Sequence, residues 1–165
     1  MNTVVKDKEE FTIADNLEVK CVFLCISGLL QTVLTISRCL ATPCHTQDSI
    51  CFYIKDKSDP SQPGVVFTGD TLFQGGCGRF FEGSADQMHK ALFYLGTLPD
   101  STVVYNGHEY TKSNLLFGES IEPESPGMKA LRDLVQNNSI TCGKSTIGDE
   151  KQWNVFMRLT SERVL

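Results

Sequence analysis

Alternating and continuous apolar runs predict several strands along the chain. Residues 49–56 (SICFYIKD) alternate apolar and polar side chains, as a half-buried strand does, and the turn-rich SDPSQPG that follows predicts a hairpin. The buried run VVFTGD then ends on Asp70, and 102–107 (TVVYNG) form another run that ends just before His108. Two of the predicted strands therefore lead directly into a polar side chain.

Helical periodicity appears only after Asp70, beyond a glycine-rich loop. Ser84 and Gln87 form a capping box in front of the first helix, and Gly96 and Pro99 end it. Pro126 opens a second amphipathic helix, and the last third of the chain is mainly helical. The apolar faces consist of Ala85, Met88, Ala91, Leu92 and Leu95 in the first helix, and of Met128, Leu131, Leu134 and Val135 in the second.

Composition narrows the class of protein. At 165 residues and 41% hydrophobic content, the chain suits one domain with a real core. Its 15 basic and 20 acidic residues give a net charge of -5 without a basic run, so we expect no nucleic-acid partner. Seven cysteines, an odd number without a CxxC pair, indicate reduced thiols and hence the cytosol or the mitochondrial matrix.

An apolar run at 22–36 stands apart from these elements. It is short of the roughly 20 residues that a membrane span needs, and Gly28 and Gln31 interrupt it. We therefore do not expect a membrane protein, and a membrane anchor at 22–36 is the competing interpretation. Separately, we predict that the folded chain is a monomer.

Three potential metal ligands, His45, Asp70 and His108, stand at predicted strand ends, where open α/β sheets place their sites. Imidazole and carboxylate suit zinc, iron or manganese, and a carboxylate can bridge two ions. Each residue alone also has an ordinary interpretation, as a surface or core histidine or as a turn-forming aspartate. Polar neighbours able to orient the ligands favour the metal-site interpretation.

Four segments carry a specific resemblance: TPCHTQDS from Thr42, FTGDTLFQGGCGRFFEG from Phe67, NGHEYTKSN from Asn106 and WNVFMRL from Trp153. In order and spacing they resemble fungal-like glyoxalase II, the hydroxyacylglutathione hydrolases of the metallo-β-lactamase superfamily. The resemblance implies an α/β fold, a four-layer α/β/β/α sandwich of which the N-terminal half is missing here, followed by the start of a C-terminal helical domain.

The resemblance also implies an activity and a site. The family hydrolyses S-(2-hydroxyacyl)glutathione, such as S-lactoylglutathione, to glutathione and a 2-hydroxy acid, and so detoxifies methylglyoxal. His45 would bind one of two divalent ions, zinc or iron, His108 the other, and Asp70 would bridge both as the catalytic ligand. The implied contacts to the glutathione thioester are Arg79, Phe81, Tyr110, Arg158 and Arg163.

One family motif has no counterpart in this sequence. THxHxDH should supply four further ligands upstream of His45, yet residues 1–44 contain no histidine. The ligand set is thus incomplete, with two protein donors for each ion. We therefore expect weak metal binding and little hydrolysis, and the alternative to an enzyme is a catalytically silent glyoxalase II-like fragment.

Residues 22–39 have no counterpart in the family, where a strand like NLEVKC leads almost directly into LATPCHT. The coding length of this segment is a whole number of codons and matches that of a short fungal intron. Valine codons begin with GT, as a 5′ splice site requires, so we hypothesise a translated intron. The predicted organisation is a strand segment at 1–21, the insert at 22–39, the C-terminal half of the metallo-β-lactamase domain at 40–109, and a partial helical glutathione-binding domain at 110–165.

Overall fold

The computed structural model describes residues 10–13, 35–56, 59–162 and 164. Its strands are β1 (Glu10–Ile13), β2 (Thr35–Ala41), β3 (Ile50–Asp56), β4 (Val65–Gly69), β5 (Leu72–Phe73), β6 (Gly76–Cys77) and β7 (Val103–Asn106). Its helices are α1 (Ala85–Gly96), α2 (Thr111–Ile121), α3 (Pro126–Asn137) and α4 (Ile147–Trp153), followed by a 3₁₀ turn at Val155–Met157.

Five strands form one mixed sheet in the order β1-β2-β3-β4-β7. Neighbours from β1 to β4 are antiparallel, whereas β4 and β7 are parallel and α1 lies between them in sequence. Since β2, β4 and β7 therefore run in the same direction, their carboxyl ends meet at one edge of the sheet. The separate β5–β6 hairpin follows β4 at that edge.

One face of the sheet packs on α1 and forms the main core. In register, Tyr53, Val66 and Val104 lie side by side on this face, and each is at most 7% exposed. The opposite face carries Phe67 and Tyr105, whose rings stack at 5.3 Å, and both are only half-buried. A second, smaller core joins α2, α3 and the end of α4 through Leu115, Met128, Leu131 and Trp153.

The sequence-predicted elements are confirmed where the structure describes them. The hairpin strands at 49–56 and 65–70 correspond to β3 and β4, and 102–107 contains β7. Ser84 caps α1 through the predicted capping box with Gln87. The two-stranded hairpin inside the glycine-rich loop and helix α2 were not specified by the pattern.

Parts of the predicted organisation fall outside the described residues. The proposed strand NLEVKC, residues 22–34 of the 22–39 insert and Arg163 lie there. The last residues of the insert, 35–39, form most of β2 and pair along β3. Among the described residues, no helix is long and apolar enough to cross a membrane.

Candidate metal centre

The three potential metal ligands converge at the sheet edge where β2, β4 and β7 end. His45 follows β2 by four residues, Asp70 directly follows β4, and His108 follows β7 by two. The parallel direction of these strands, rather than proximity in sequence, brings the three side chains together.

Asp70 lies between the two imidazoles and presents one carboxylate oxygen to each. Its Oδ2 is 3.4 Å from Nε2 of His45, and its Oδ1 is 3.3 Å from Nε2 of His108. This is the arrangement that a carboxylate bridging two cations would adopt, with one imidazole on each side.

A hydrogen bond to the backbone determines which nitrogen of the His45 ring carries the proton. Nδ1 of His45 lies 2.9 Å from the carbonyl oxygen of Arg79, and because a carbonyl only accepts, Nδ1 is the donor. In the neutral ring, Nε2 then turns a lone pair towards a carboxylate oxygen. Two acceptors in contact need a cation between them or a proton on the ring.

The distances fit a shared cation. Two ligands held about 2.1 Å from one tetrahedral ion lie roughly 3.4 Å apart, which matches both histidine–Asp70 separations. The three side chains form two separate histidine–Asp70 contacts rather than one cluster around a single point. Within the described ranges, no three His, Cys, Asp or Glu residues are arranged to share a single metal ion. The residues present are therefore of the types that bind divalent cations, with one imidazole beside each oxygen of Asp70.

The loop that carries Asp70 is tied to the end of β2. The hydroxyls of Thr42 and Thr71 lie 3.1 Å apart, and both residues are buried. The Gly78 amide donates to the Thr71 carbonyl at 3.1 Å, which closes the loop behind Asp70. A β-carbon at Gly78 would overlap the Asp70 carbonyl oxygen, so only glycine permits this close approach.

Glu109 fixes the backbone next to His108. Its carboxylate accepts hydrogen bonds from the amides of Thr141 and Cys142 and from the Thr141 hydroxyl. Burial raises the pKa of Glu109, but these hydrogen bonds outweigh it, so the pKa lies below its usual value. The sequence offered one signal for this role, a polar residue adjacent to a potential ligand, but the partners lie beyond α3 and are remote in sequence.

Aromatic rings surround both imidazoles. Phe81 contacts His45 with ring centroids 4.9 Å apart, and Tyr110 stacks on His108 at 5.0 Å with an interplanar angle of 20°. Phe73 lies behind them, 5.3 Å from Tyr110. Phe81 and Tyr110 are 67% and 49% exposed, so their outer surfaces are free to meet a ligand.

The predicted cationic contacts are placed differently from one another. Arg79 is exposed beside the site, and its backbone carbonyl binds His45. The guanidinium of Arg158 forms a two-pronged ion pair with Glu122, whose side chain is only 1% exposed. The positive charge of Arg158 is thus already balanced by the Glu122 carboxylate. The sequence pattern did not indicate this partner.

Cys77, in the loop beside the site, is suited to packing. Burial raises the pKa of its thiol to about 12, and the neighbouring Cys44 adds to the shift. The neutral thiol is therefore the form present at physiological pH, and it is a poor nucleophile.

Two adjacent family models match this chain. The metallo-β-lactamase superfamily matches residues 37–108, and the hydroxyacylglutathione hydrolase C-terminus matches residues 109–165. The probable hydroxyacylglutathione hydrolase glo2 of Schizosaccharomyces pombe is 56% identical over 126 residues, which cover 76% of this chain and 47% of that protein. This chain belongs to the hydroxyacylglutathione hydrolase family.

A second relative has a similar extent. The cytoplasmic isozyme of hydroxyacylglutathione hydrolase from Saccharomyces cerevisiae is 45% identical over 135 residues, or 76% of this chain and 48% of that protein. The chain thus spans about half the length of the curated relatives it matches. A metallo-β-lactamase from Staphylococcus aureus shares the fold, with a TM-score of 0.55 and 22% identity over 94% of this chain and 34% of that one.

Membership in this family supports the α/β fold expected from the sequence. The superfamily is one of metal-dependent proteins, so divalent-metal binding is its expected chemistry.

Proposed function

We propose that this site serves the hydrolysis of S-(2-hydroxyacyl)glutathione, such as S-lactoylglutathione, to glutathione and a 2-hydroxy acid. The observation that carries the proposal is the Asp70 carboxylate held between two imidazoles, one at each oxygen. The names of the relatives at 45% and 56% identity supply the reaction class.

Asp70, His45 and His108 would hold two divalent ions, zinc or iron. Ions bound there would lower the pKa of water and stabilise negative charge on the thioester carbonyl oxygen. The Arg79 carbonyl keeps the proton of His45 on Nδ1, which leaves Nε2 available as a ligand. The Tyr110 ring, stacked on His108, limits how that imidazole can turn.

The glutathione half of the substrate would lie along the exposed rings beside the site. Phe81 and Tyr110 offer apolar surface, and the Tyr110 hydroxyl offers a hydrogen bond. Arg79 is the exposed cation next to them and suits a substrate carboxylate. Arg158 would contribute only by sharing its charge between Glu122 and the substrate, and Arg163 remains a prediction from the resemblance.

These 165 residues alone would bind metal weakly and turn over little thioester. Each ion has two protein donors here, whereas catalytic zinc sites usually have three. A catalytically silent, glyoxalase II-like protein is therefore the second candidate. Isothermal titration with Zn²⁺ and Fe²⁺, together with an S-lactoylglutathione assay, tests this point, and turnover at the level of full-length relatives would contradict it.

A chimera tests the chemistry of the site itself. The part of the S. pombe hydrolase that precedes its match would be joined ahead of residue 40 of this chain. We expect thioester hydrolysis that His45→Ala, Asp70→Asn or His108→Ala reduces by about a hundredfold or more, because losing a residue that only supports a ligand already costs about 10–100-fold. His89→Ala, which removes an exposed imidazole on α1, is the matched control. Activity that survives His45→Ala and Asp70→Asn would refute the assignment.

We further propose that the protein acts in the cytosol as a monomer. The name of the S. cerevisiae relative, a cytoplasmic isozyme, supports the location, with the mitochondrial matrix as the alternative. Fractionation and size-exclusion chromatography test these two statements.

A further inference from the structure

A buried acid in α4, distant in sequence from the potential metal ligands, holds the turn of the β5–β6 hairpin. Glu150 is 0% exposed. Its Oε2 accepts a hydrogen bond from the Gly75 amide at 2.8 Å and another from the Asn154 side chain at 3.1 Å. A carboxyl group buried this completely needs such donors, because burial without them is strongly unfavourable.

Asn154 extends the same connection to the rest of the turn. Its Nδ2 donates to the carbonyls of Gly76 at 2.9 Å and Phe73 at 3.3 Å. Its Oδ1 accepts from the Phe156 amide at 3.1 Å, so the side chain is itself fixed. The turn thus depends on side chains from the C-terminal end of α4, far from it in sequence.

The turn is coupled to the metal centre through short covalent and packing links. Gly75 has φ +69°, a conformation that the turn requires and that favours glycine. The hairpin begins two residues after Asp70, and Phe73 within it contacts the rings of His108 and Tyr110. A shift of the turn would therefore move both Asp70 and the aromatic support of His108.

We propose that Glu150 is a positioning residue of the metal centre, which holds the turn at Gly75 and thereby sets how Asp70 and Phe73 meet the imidazoles. This inference rests on the proposed function for its biological meaning. Glu150 would set the geometry of His45 and His108 in the metal-free chain as well.

The role uses the charge of the carboxylate as well as its shape. Oε2 accepts from two N–H groups, and hydrogen bonds to an ionised acceptor are roughly twice as strong as those to a neutral one. Glutamine has the same shape and can place its carbonyl oxygen at the position of Oε2, but it is neutral and so holds the two N–H groups more weakly. Glu150→Gln therefore removes the charge while keeping the volume.

Nuclear magnetic resonance of the full, metal-free chain tests the proposal. We expect Glu150→Gln to displace the imidazole signals of His45 and His108 and the amide signals of Gly75 and Gly78. Glu124→Gln, the same substitution at an exposed position, should leave these signals in place. A folded Glu150→Gln chain with unchanged imidazole signals would show that Glu150 only stabilises the fold, and would overturn the proposal.

Asn154→Ala is the second variant, needed in case Glu150→Gln does not fold. It removes the Nδ2 group that links Glu150 to the carbonyls of Phe73 and Gly76, so the same signals should move, and unchanged signals would again refute the role. Zinc titration adds a separate measurement, in which Glu150→Gln should weaken binding about tenfold. A wild-type chain that binds no zinc would contradict the proposed function, whereas the imidazole signals would still decide the role of Glu150.

Discussion

At the residue scale, the site depends on one aspartate whose surroundings allow little movement. Both oxygens of Asp70 face imidazoles, and its backbone carbonyl lies against Gly78. The Thr42–Thr71 contact fixes the adjoining residue to the end of β2. Such close packing of the backbone makes the centre sensitive to changes that add a single carbon atom.

Gly78→Ala tests this close packing. The added β-carbon would overlap the Asp70 carbonyl oxygen, which is backbone and cannot turn aside, so we expect a loss of about 1–3 kcal/mol or more in the free energy of unfolding. Urea denaturation measures it. The control is Gly96→Ala at the end of α1, where the new atom would lie 3.4 Å from the flexible end of Met157. There we expect a gain of about 0.5–1 kcal/mol, and equal effects at the two sites would contradict the reasoning.

At the scale of elements, α2 is fastened to the segment after α4 by the Arg158–Glu122 ion pair. Glu122 caps the end of α2 and is buried, whereas the Arg158 side chain is 21% exposed. The pair thus joins parts of the chain that are 36 residues apart. This structural role competes with the predicted contact between Arg158 and glutathione.

Arg158→Ala separates the two roles. Removing one partner leaves a buried charge unpaired, so we expect a loss of about 3 kcal/mol in the free energy of unfolding. Arg132→Ala is the control, because it breaks a more exposed pair with Glu119, worth at most about 1 kcal/mol. A variant as stable as Arg132→Ala that no longer binds glutathione would assign Arg158 to the substrate instead.

The translated-intron proposal makes a prediction about β2. Joining Cys21 to Leu40 would put a cysteine at the position of the fully buried Cys39 and Lys20 at that of Arg38. We therefore expect the chain without residues 22–39 to be at least as stable towards urea as the full chain.

The control deletion removes residues 22–38, one residue fewer, and so leaves Cys39 in the chain. Because side chains alternate between the two faces of a sheet, this one-residue shift would move the side chains that precede Cys39 in β2 to the opposite face. The control deletion should therefore destabilise the sheet. Equal stability of the two deletions would contradict the prediction. Reverse transcription of the message tests the intron itself, and a mature message that retains these codons would refute it.

At the scale of the whole molecule, one buried acid connects stability to pH. Burial raises the pKa of Glu150 from 4.5 to about 7, although hydrogen bonds from Gly75 and its neighbours partly oppose the shift. The folded chain therefore binds more protons than the unfolded chain between these values. Stability from this group is complete below pH 4.5 and is lost as the pH rises to about 7.

Comparison of wild type with Glu150→Gln isolates this contribution, since the carboxylates with lowered pKa, such as Glu109, titrate alike in both. The difference in unfolding free energy should change by on the order of 3 kcal/mol between about pH 4.5 and about pH 7.5 and stay constant above it. Urea denaturation across this range measures it. A difference that does not vary with pH would show that Glu150 titrates normally in the folded chain.

The sequence by itself determined the local elements and the three potential ligands. The alternation in β3, the apolar run of β4 and the Ser84 capping box depend on neighbouring residues, so their patterns are visible without a structure. His45, Asp70 and His108 were recognisable because each lies within four residues of the end of a strand.

Only the tertiary structure decided how these residues meet. The two oxygens of Asp70 face different imidazoles because β2, β4 and β7 run in one direction, which is a property of the sheet. The partners of Arg158, Glu109 and Glu150 were not predictable from local sequence. Each pair joins distant parts of the chain, and long-range polar pairing follows the path of the folded chain and leaves no periodic pattern in the sequence.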